Sequence, residues 1–247
     1  MRRPFVAGNW KMNTTGAEAV ALAAAVASAT VGARCDVALC VPFPHLAAVR
    51  AALGGSAVAV GAQDVHWEAK GAFTGEVSST MLEPYCRYVI IGHSERRQLF
   101  GETDESVNRK LRALLGSPLD PIVCVGERLE ERRAGRTTAV LKRQLQEGFR
   151  DVTLHARITV AYEPIWAIGT GETATPAVAQ EACLFIRAFL RDLGGDAADA
   201  MRVQYGGSVN PANAAELFAQ PDIDGGLVGG ASLDAAQFAA IVAAASP

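Results

Sequence analysis

The chain turns on Tyr162-Glu163-Pro164-Ile165-Trp166-Ala167-Ile168-Gly169-Thr170-Gly171-Glu172-Thr173. A β-type run, Ile158-Thr159-Val160-Ala161-Tyr162, leads into it and stops at a single carboxylate. Pro164 removes a backbone donor and disfavours helix at the residue before it, which puts Glu163 at a strand end. Bulky Ile165, Trp166 and Ile168 follow, and then Gly169 and Gly171, which reach backbone conformations that other residues avoid. Carboxylate, apolar cover and flexible hinge together fit a base beneath a lid. They fit equally well an Ω-loop pinned down by its hydrophobes, with Glu163 merely solvated.

Working outward, eight short β-type runs can be read. They lie near Phe5–Asn9, Asp36–Val41, Val58–Gln63, Tyr88–Gly92, Pro121–Gly126, Ile158–Tyr162, Arg202–Gly206 and Gly225–Val228. Several are apolar on consecutive residues, as strands covered on both faces should be. Most are followed by a longer helical pattern, which implies right-handed parallel βαβ units. Eight such units in 247 residues predict an α/β fold, a single closed (β/α)8 barrel of the TIM type, as one domain over 1–247. An open doubly wound sheet is the structural competitor.

The helical segments carry start and stop signals. Ala17 to Ala29 is alanine-rich. Thr175-Pro176 reads as a cap with proline in first position, and Val178, Ala182, Phe185, Phe189 and Leu193 are expected to form one apolar face. Asn210-Pro211 repeats that start signal, while Gly116 and Pro118 end a helix from Asp104 to Leu115. The charge run Glu127 to Arg136 reads as a solvated helical face.

Half the residues are hydrophobic and a fifth are charged, enough apolar material for a large core. A net charge of −3 leaves no basic footprint for nucleic acid or an anionic membrane. Five cysteines without a C-x-x-C pair suggest buried thiols rather than zinc or disulfides. Neither a signal peptide nor a membrane span is suggested, so a cytoplasmic protein is expected.

In a parallel barrel the active site lies at the carboxyl ends of the strands. The first run ends Gly8-Asn9-Trp10-Lys11, an amide donor and a cation two residues apart; Asn9 alone could equally cap a loop. The fourth ends Gly92-His93-Ser94-Glu95, where a helix start would disfavour imidazolium and keep His93 neutral. His45, His66 and His155 stand without such partners and read as structural. The last two runs end in Gly206-Gly207-Ser208 and Gly229-Gly230-Ala231-Ser232, which suit either a phosphate or tight turns. Gly169-Thr170-Gly171-Glu172-Thr173-Ala174 matches a dinucleotide pattern, but Pro164-Ile165-Trp166 occupies the place of the required tight turn. No ligand spacing argues for a metal.

Taken together, Ala7-Gly8-Asn9-Trp10-Lys11-Met12-Asn13, Ile91-Gly92-His93-Ser94-Glu95-Arg96-Arg97, Ala161 to Gly171 and Tyr205-Gly206-Gly207-Ser208 resemble the triosephosphate isomerase family from end to end. The resemblance implies a cofactor-free, metal-free homodimeric barrel. Its reaction would interconvert dihydroxyacetone phosphate and D-glyceraldehyde 3-phosphate through an enediolate, in glycolysis and gluconeogenesis. It implies Glu163 as base, His93 as neutral electrophile, Lys11 and Asn9 as substrate-holding groups, and Glu95 as the partner of Lys11. It further implies Gly169, Ser208, Gly229 and Gly230 as phosphate donors, and a lid over Pro164, Ile165, Trp166, Ala167, Ile168, Gly169, Thr170 and Gly171. Ile168 and Leu227 would close over Glu163, and Thr74 in an interface loop (Asp64 to Val77) would reach the partner's active site. Glu172 and Arg128 stand where many members have lysine and threonine. An aldolase would want a Schiff-base lysine, and Lys11 is the one lysine at a strand end. A barrel retained only for binding is the third reading.

Overall fold

The structure is a computed structural model that describes residues 2–168 and 173–246. Its strands are β1 (Phe5–Asn9), β2 (Asp36–Val41), β3 (Ala59–Ala62), β4 (Tyr88–Ile91), β5 (Asp120–Val125), β6 (Thr159–Tyr162), β7 (Arg202–Tyr205) and β8 (Gly225–Val228). They close in chain order into one barrel, every neighbour parallel, with β8 pairing back onto β1. The expected strands are all found, with ends shifted by at most one residue.

Two apolar layers explain why the strands are apolar on consecutive residues. Phe5, Ala7, Cys40, Ile90, Ile122 and Cys124 are among the side chains that fill the barrel. Their neighbours in sequence, such as Val6, Leu39, Val89 and Val123, face outward into the larger core beneath the helices. Alternation of side-chain direction thus buries both faces. All five cysteines are free and buried.

The first helix, Gly16–Ala29, starts one residue earlier than the alanine run, where Glu18 Oε2 accepts the Thr15 N–H at 2.7 Å. The helix Asp104–Leu115 ends at Gly116 as expected. Three local expectations need correction. In the helix Pro176–Gly194 the buried stripe is Ala179, Ala182, Cys183, Ile186, Arg187 and Leu190, roughly a quarter-turn from the expected face. Leu193, placed in that face, is exposed. The stripe includes an arginine because Arg187 pairs with Asp222 at 2.8 Å and Asp224 at 2.6 Å.

Asn210-Pro211 does not open a helix directly. Asn210 Oδ1 accepts from the Ala212 and Asn213 amides, forming a turn, and the helix runs from Ala214 to Phe218. Finally, the charge run does not begin on a solvated face. Glu127 is fully buried, and only the residues after it become exposed, in and around the helix Leu129–Arg133.

Candidate active site

Each site residue leaves the carboxyl end of a strand. Asn9 ends β1, and its Oδ1 accepts the Lys11 N–H at 3.0 Å. That bond supports a left-handed backbone at Lys11 (φ 53°), a conformation that costs a residue with a side chain about 1 kcal/mol or more. Gln63, just past β3, donates from Nε2 to the carbonyls of Lys11 and Cys40, both at 3.0 Å. The ammonium of Lys11 is aimed by Glu95 Oε1, 2.5 Å away.

His93 follows β4 and precedes the helix Ser94–Leu99. Its Nδ1 accepts the Glu95 N–H at 3.2 Å, so that nitrogen carries no proton and Nε2 carries the ring's N–H. Nε2 lies 3.0 Å from Glu163 Oε1, and the Ser94 N–H donates to Glu163 Oε2 at 2.8 Å. Burial pushes the Glu163 carboxyl up, but His93, the Ser94 N–H and Lys11 more than offset it, so its pKa is lowered. For His93 burial acts downward, and the carboxylates of Glu163 and Glu95 outweigh it to give a net rise.

Glu163 is placed by its backbone as well. Its N–H donates to Val125 O at 2.7 Å, and the flanking strands offer glycine at its level. A Cβ on Gly126 would lie 1.7 Å from Glu163 O, and one on Gly206 would lie 3.0 Å from Glu163 Cγ. Both positions therefore depend on the missing side chain.

These residues open onto one cavity of about 480 Å³, whose walls include Asn9, Lys11, His93, Glu163, Ser208, Gly229 and Gly230. Ile168 and Leu227 supply apolar wall beside them. The Gly229 carbonyl is occupied by Ser232 N and Oγ, and Asn213 Nδ2 holds the Ser208 carbonyl. Glu95 is outside the wall and reaches the cavity through Lys11. Thr74 sits apart, exposed in a loop where His66 stacks on Trp67 and meets Phe73 at a tilt. Among the described residues, no group of three or more His, Cys, Asp or Glu is placed to hold a metal ion.

The model of triosephosphate isomerase matches residues 4–245. The chain belongs to the triosephosphate isomerase family. Relatives of that name are similar to it throughout. One from Moorella thermoacetica is 59% identical, with 98% of each chain covered. One from Thiobacillus denitrificans is 55% identical over the whole of both chains, and one from Carboxydothermus hydrogenoformans is 54% identical over 98% of each.

The described part of the expected lid includes a turn, Ile165–Ala167. Gly169, Thr170 and Gly171 of the expected lid lie outside the described residues, as does Glu172; the phosphate role expected of Gly169 falls there too. The turn is tied to Glu127, a residue that sequence reasoning passed over. Tyr162 Oη donates to both Glu127 oxygens at 3.1 Å, Trp166 Nε1 donates to Oε1 at 3.0 Å, and the Ile165 N–H donates to its carbonyl at 3.1 Å. Gln63 was passed over as well. Both are polar residues just past an apolar run, the same signal that picked out Asn9.

Proposed function

We propose that Glu163 is the base with which this family member, an aldose–ketose isomerase in glycolysis and gluconeogenesis, interconverts dihydroxyacetone phosphate and D-glyceraldehyde 3-phosphate. What supports the reading is the meeting of Glu163, His93, Lys11 and Asn9 on the wall of one cavity, with Ser208, Gly229 and Gly230 on that wall too. Glu163 takes a proton from the hydroxyl-bearing carbon beside the carbonyl. The C–H electrons become the enediolate double bond, and the carbonyl oxygen takes up the negative charge. His93 donates from Nε2 to that oxygen, and Lys11 and Asn9 add positive charge and a donor there. His93 gives its Nε2 proton to that oxygen and takes the proton of the other, former hydroxyl oxygen, which forms the new carbonyl as Glu163 returns its proton to the former carbonyl carbon. No electrons leave the substrate, so the chemistry calls for no cofactor.

The resting contacts of Glu163 set up its reactivity. To reach substrate, the carboxylate gives up the Ser94 N–H and His93. The burial that disfavours its charge is then less compensated, and it becomes a stronger base. Its departure also removes the larger part of what raises the His93 pKa; the Glu95 carboxylate remains, set against burial, Lys11 and the Glu95 N–H, all three of which favour a neutral imidazole. Amides of Gly229, Gly230 and Gly169, with Ser208, receive the phosphate. Residues 164–171 close over the intermediate and hold off water.

The working unit is one catalytic domain over 1–247, assembled as a homodimer through Thr74 and its loop. The dimer accounts for Met12, 95% exposed one residue from Lys11, and for exposed Phe73 and Met81. Among the described residues no helix is long and apolar enough to cross a membrane, in keeping with a cytoplasmic enzyme. A coupled assay on glyceraldehyde 3-phosphate, with and without 2-phosphoglycolate as an enediolate mimic, tests the activity. Turnover competitively blocked by the mimic is the expected result; no turnover would overturn it.

A further inference from the structure

His93 is placed through its backbone as well as through its ring, and both of its flanking carbonyls end on one residue. Arg97, in the last turn of the helix Ser94–Leu99, donates from its main-chain N–H to His93 O at 3.1 Å and from side-chain Nε to Gly92 O at 2.7 Å. The β4–β5 ladder stops at Ile91 and Val123, so Gly92 O lies just past its end. There the guanidinium takes the ladder's place: Nη2 donates to Cys124 O on β5 at 3.3 Å, and Nη1 to Asp104 Oδ1 at 2.5 Å. The side chain is only 12% exposed, and it packs this closely because position 92 has no side chain. Gly92 takes φ 70°, and a Cβ there would lie 3.0 Å from Nη2 and 3.1 Å from Cys124 O.

We propose that Arg97 is a positioning residue for the isomerisation: it fixes the two peptide planes from which His93 projects and so aims the imidazole at the substrate's carbonyl oxygen. The proposal rests on His93 being the electrophile. Two planes that share a Cα determine the direction of the Cα–Cβ bond, and the Glu95 N–H on Nδ1 then sets the ring. Of these three constraints, the bonds to His93 O and Nδ1 come with the helix, whereas the hold on Gly92 O comes from a side chain. Losing it frees the plane ahead of His93 while the helix still forms. A left-handed glycine is poorly able to hold that plane by itself, because its backbone has the widest choice of conformations. Arginine suits the task because one planar fork reaches carbonyls of two strands and a carboxylate together. The peptide ahead of His93 is thereby anchored to β5 rather than to its own loop.

The test is a double-mutant cycle in the full chain, with Arg97→Lys, which keeps the charge without the fork, and His93→Gln, each alone and combined. Turnover of glyceraldehyde 3-phosphate gives kcat and KM, and inhibition by inorganic phosphate reads the phosphate end of the cavity alone. Arg97→Lys should lower kcat about tenfold, the scale of a slightly misaimed group, with KM and phosphate inhibition within about twofold of the parent. In the His93→Gln background the same substitution should change kcat by less than about twofold, since no imidazole is left to aim. Arg143→Gln removes an exposed arginine that holds the other Asp104 oxygen at 3.3 Å, leaving Arg97 and both carbonyls in place; kcat should stay parental. Should Arg97→Lys not fold, Asp104→Asn loosens the guanidinium and carries the same cycle, with a fall of about fivefold expected. Parental kcat in Arg97→Lys, or an equal loss with and without His93, overturns the proposal and leaves the isomerase reading standing. Near-parental kcat in His93→Gln itself removes the electrophile, and the proposal with it.

Discussion

On the proposed role, Glu163 is held ionised in the free protein by groups that it leaves in order to react, and this gives the pH dependence a definite sign. Its pKa is lowered in the folded chain, so the acid limb of kcat/KM, which reports the free enzyme, should lie below the ordinary carboxylate range. The acid limb of kcat should lie higher, since the bound state has lost the compensating donors; coincident limbs would count against the exchange of partners. The same lowered pKa makes a stabilising contribution that is present above the unfolded-state value and lost as pH falls through the folded one. Glu163→Gln should flatten that part of the stability–pH curve, as measured by urea unfolding at stepped pH. Gly206→Ala places a methyl 3.0 Å from Glu163 Cγ and should displace the carboxylate. A fall in kcat of about 10²-fold with the fold intact by circular dichroism is expected, since small misplacements cost that much. At this scale Asn9, His93 and Glu163 were legible because each is a polar residue at the end of an apolar run. The hold of Gln63 on the Lys11 backbone carbonyl was not, because that contact spans 52 positions of chain.

Among the elements, the segment from Gly126 into the helix Leu129–Arg133 shows where sequence pattern misleads. Seven charged residues in ten positions from Glu127 read as one solvated face, yet Glu127 is buried and the rest are not. What distinguishes it is the donor set waiting for it: Thr137 Oγ1 ten positions on, and Tyr162 Oη and Trp166 Nε1 from 35 and 39 positions on. Tyr162→Phe removes a donor from that buried carboxylate and should lower stability by about 1–3 kcal/mol in urea unfolding. A change within a few tenths of a kcal/mol would show that Glu127 does not depend on it. The helix Pro176–Gly194 makes the same point. Periodicity locates an apolar stripe, but Val178, Phe185 and Phe189 are only half-buried against the core, while Arg187 lies deeper because its partners Asp222 and Asp224 arrive from another part of the chain.

For the whole molecule, the barrel was legible because eight apolar runs alternating with helices allow few closed arrangements, and closure fixes which strand ends face one another. Assembly was not legible from the residues themselves, since a polar loop such as 64–77 looks the same whether solvated or docked. Exposed Met12, Phe73 and Met81 favour docking, and Thr74→Arg in that loop should give a monomer by sedimentation velocity, with turnover lowered about 10²-fold. An active monomer of unchanged turnover would show the site to be complete within one chain. The central claim is that one carboxylate at the end of β6 moves the proton while the remainder of the cavity holds the phosphate and the developing charge. Glu163→Gln tests it most directly, through turnover of glyceraldehyde 3-phosphate and binding of 2-phosphoglycolate on the same preparation. The prediction is a loss in kcat of about 10³-fold with the mimic still bound within a few-fold of the parent affinity. Near-parental turnover would contradict it.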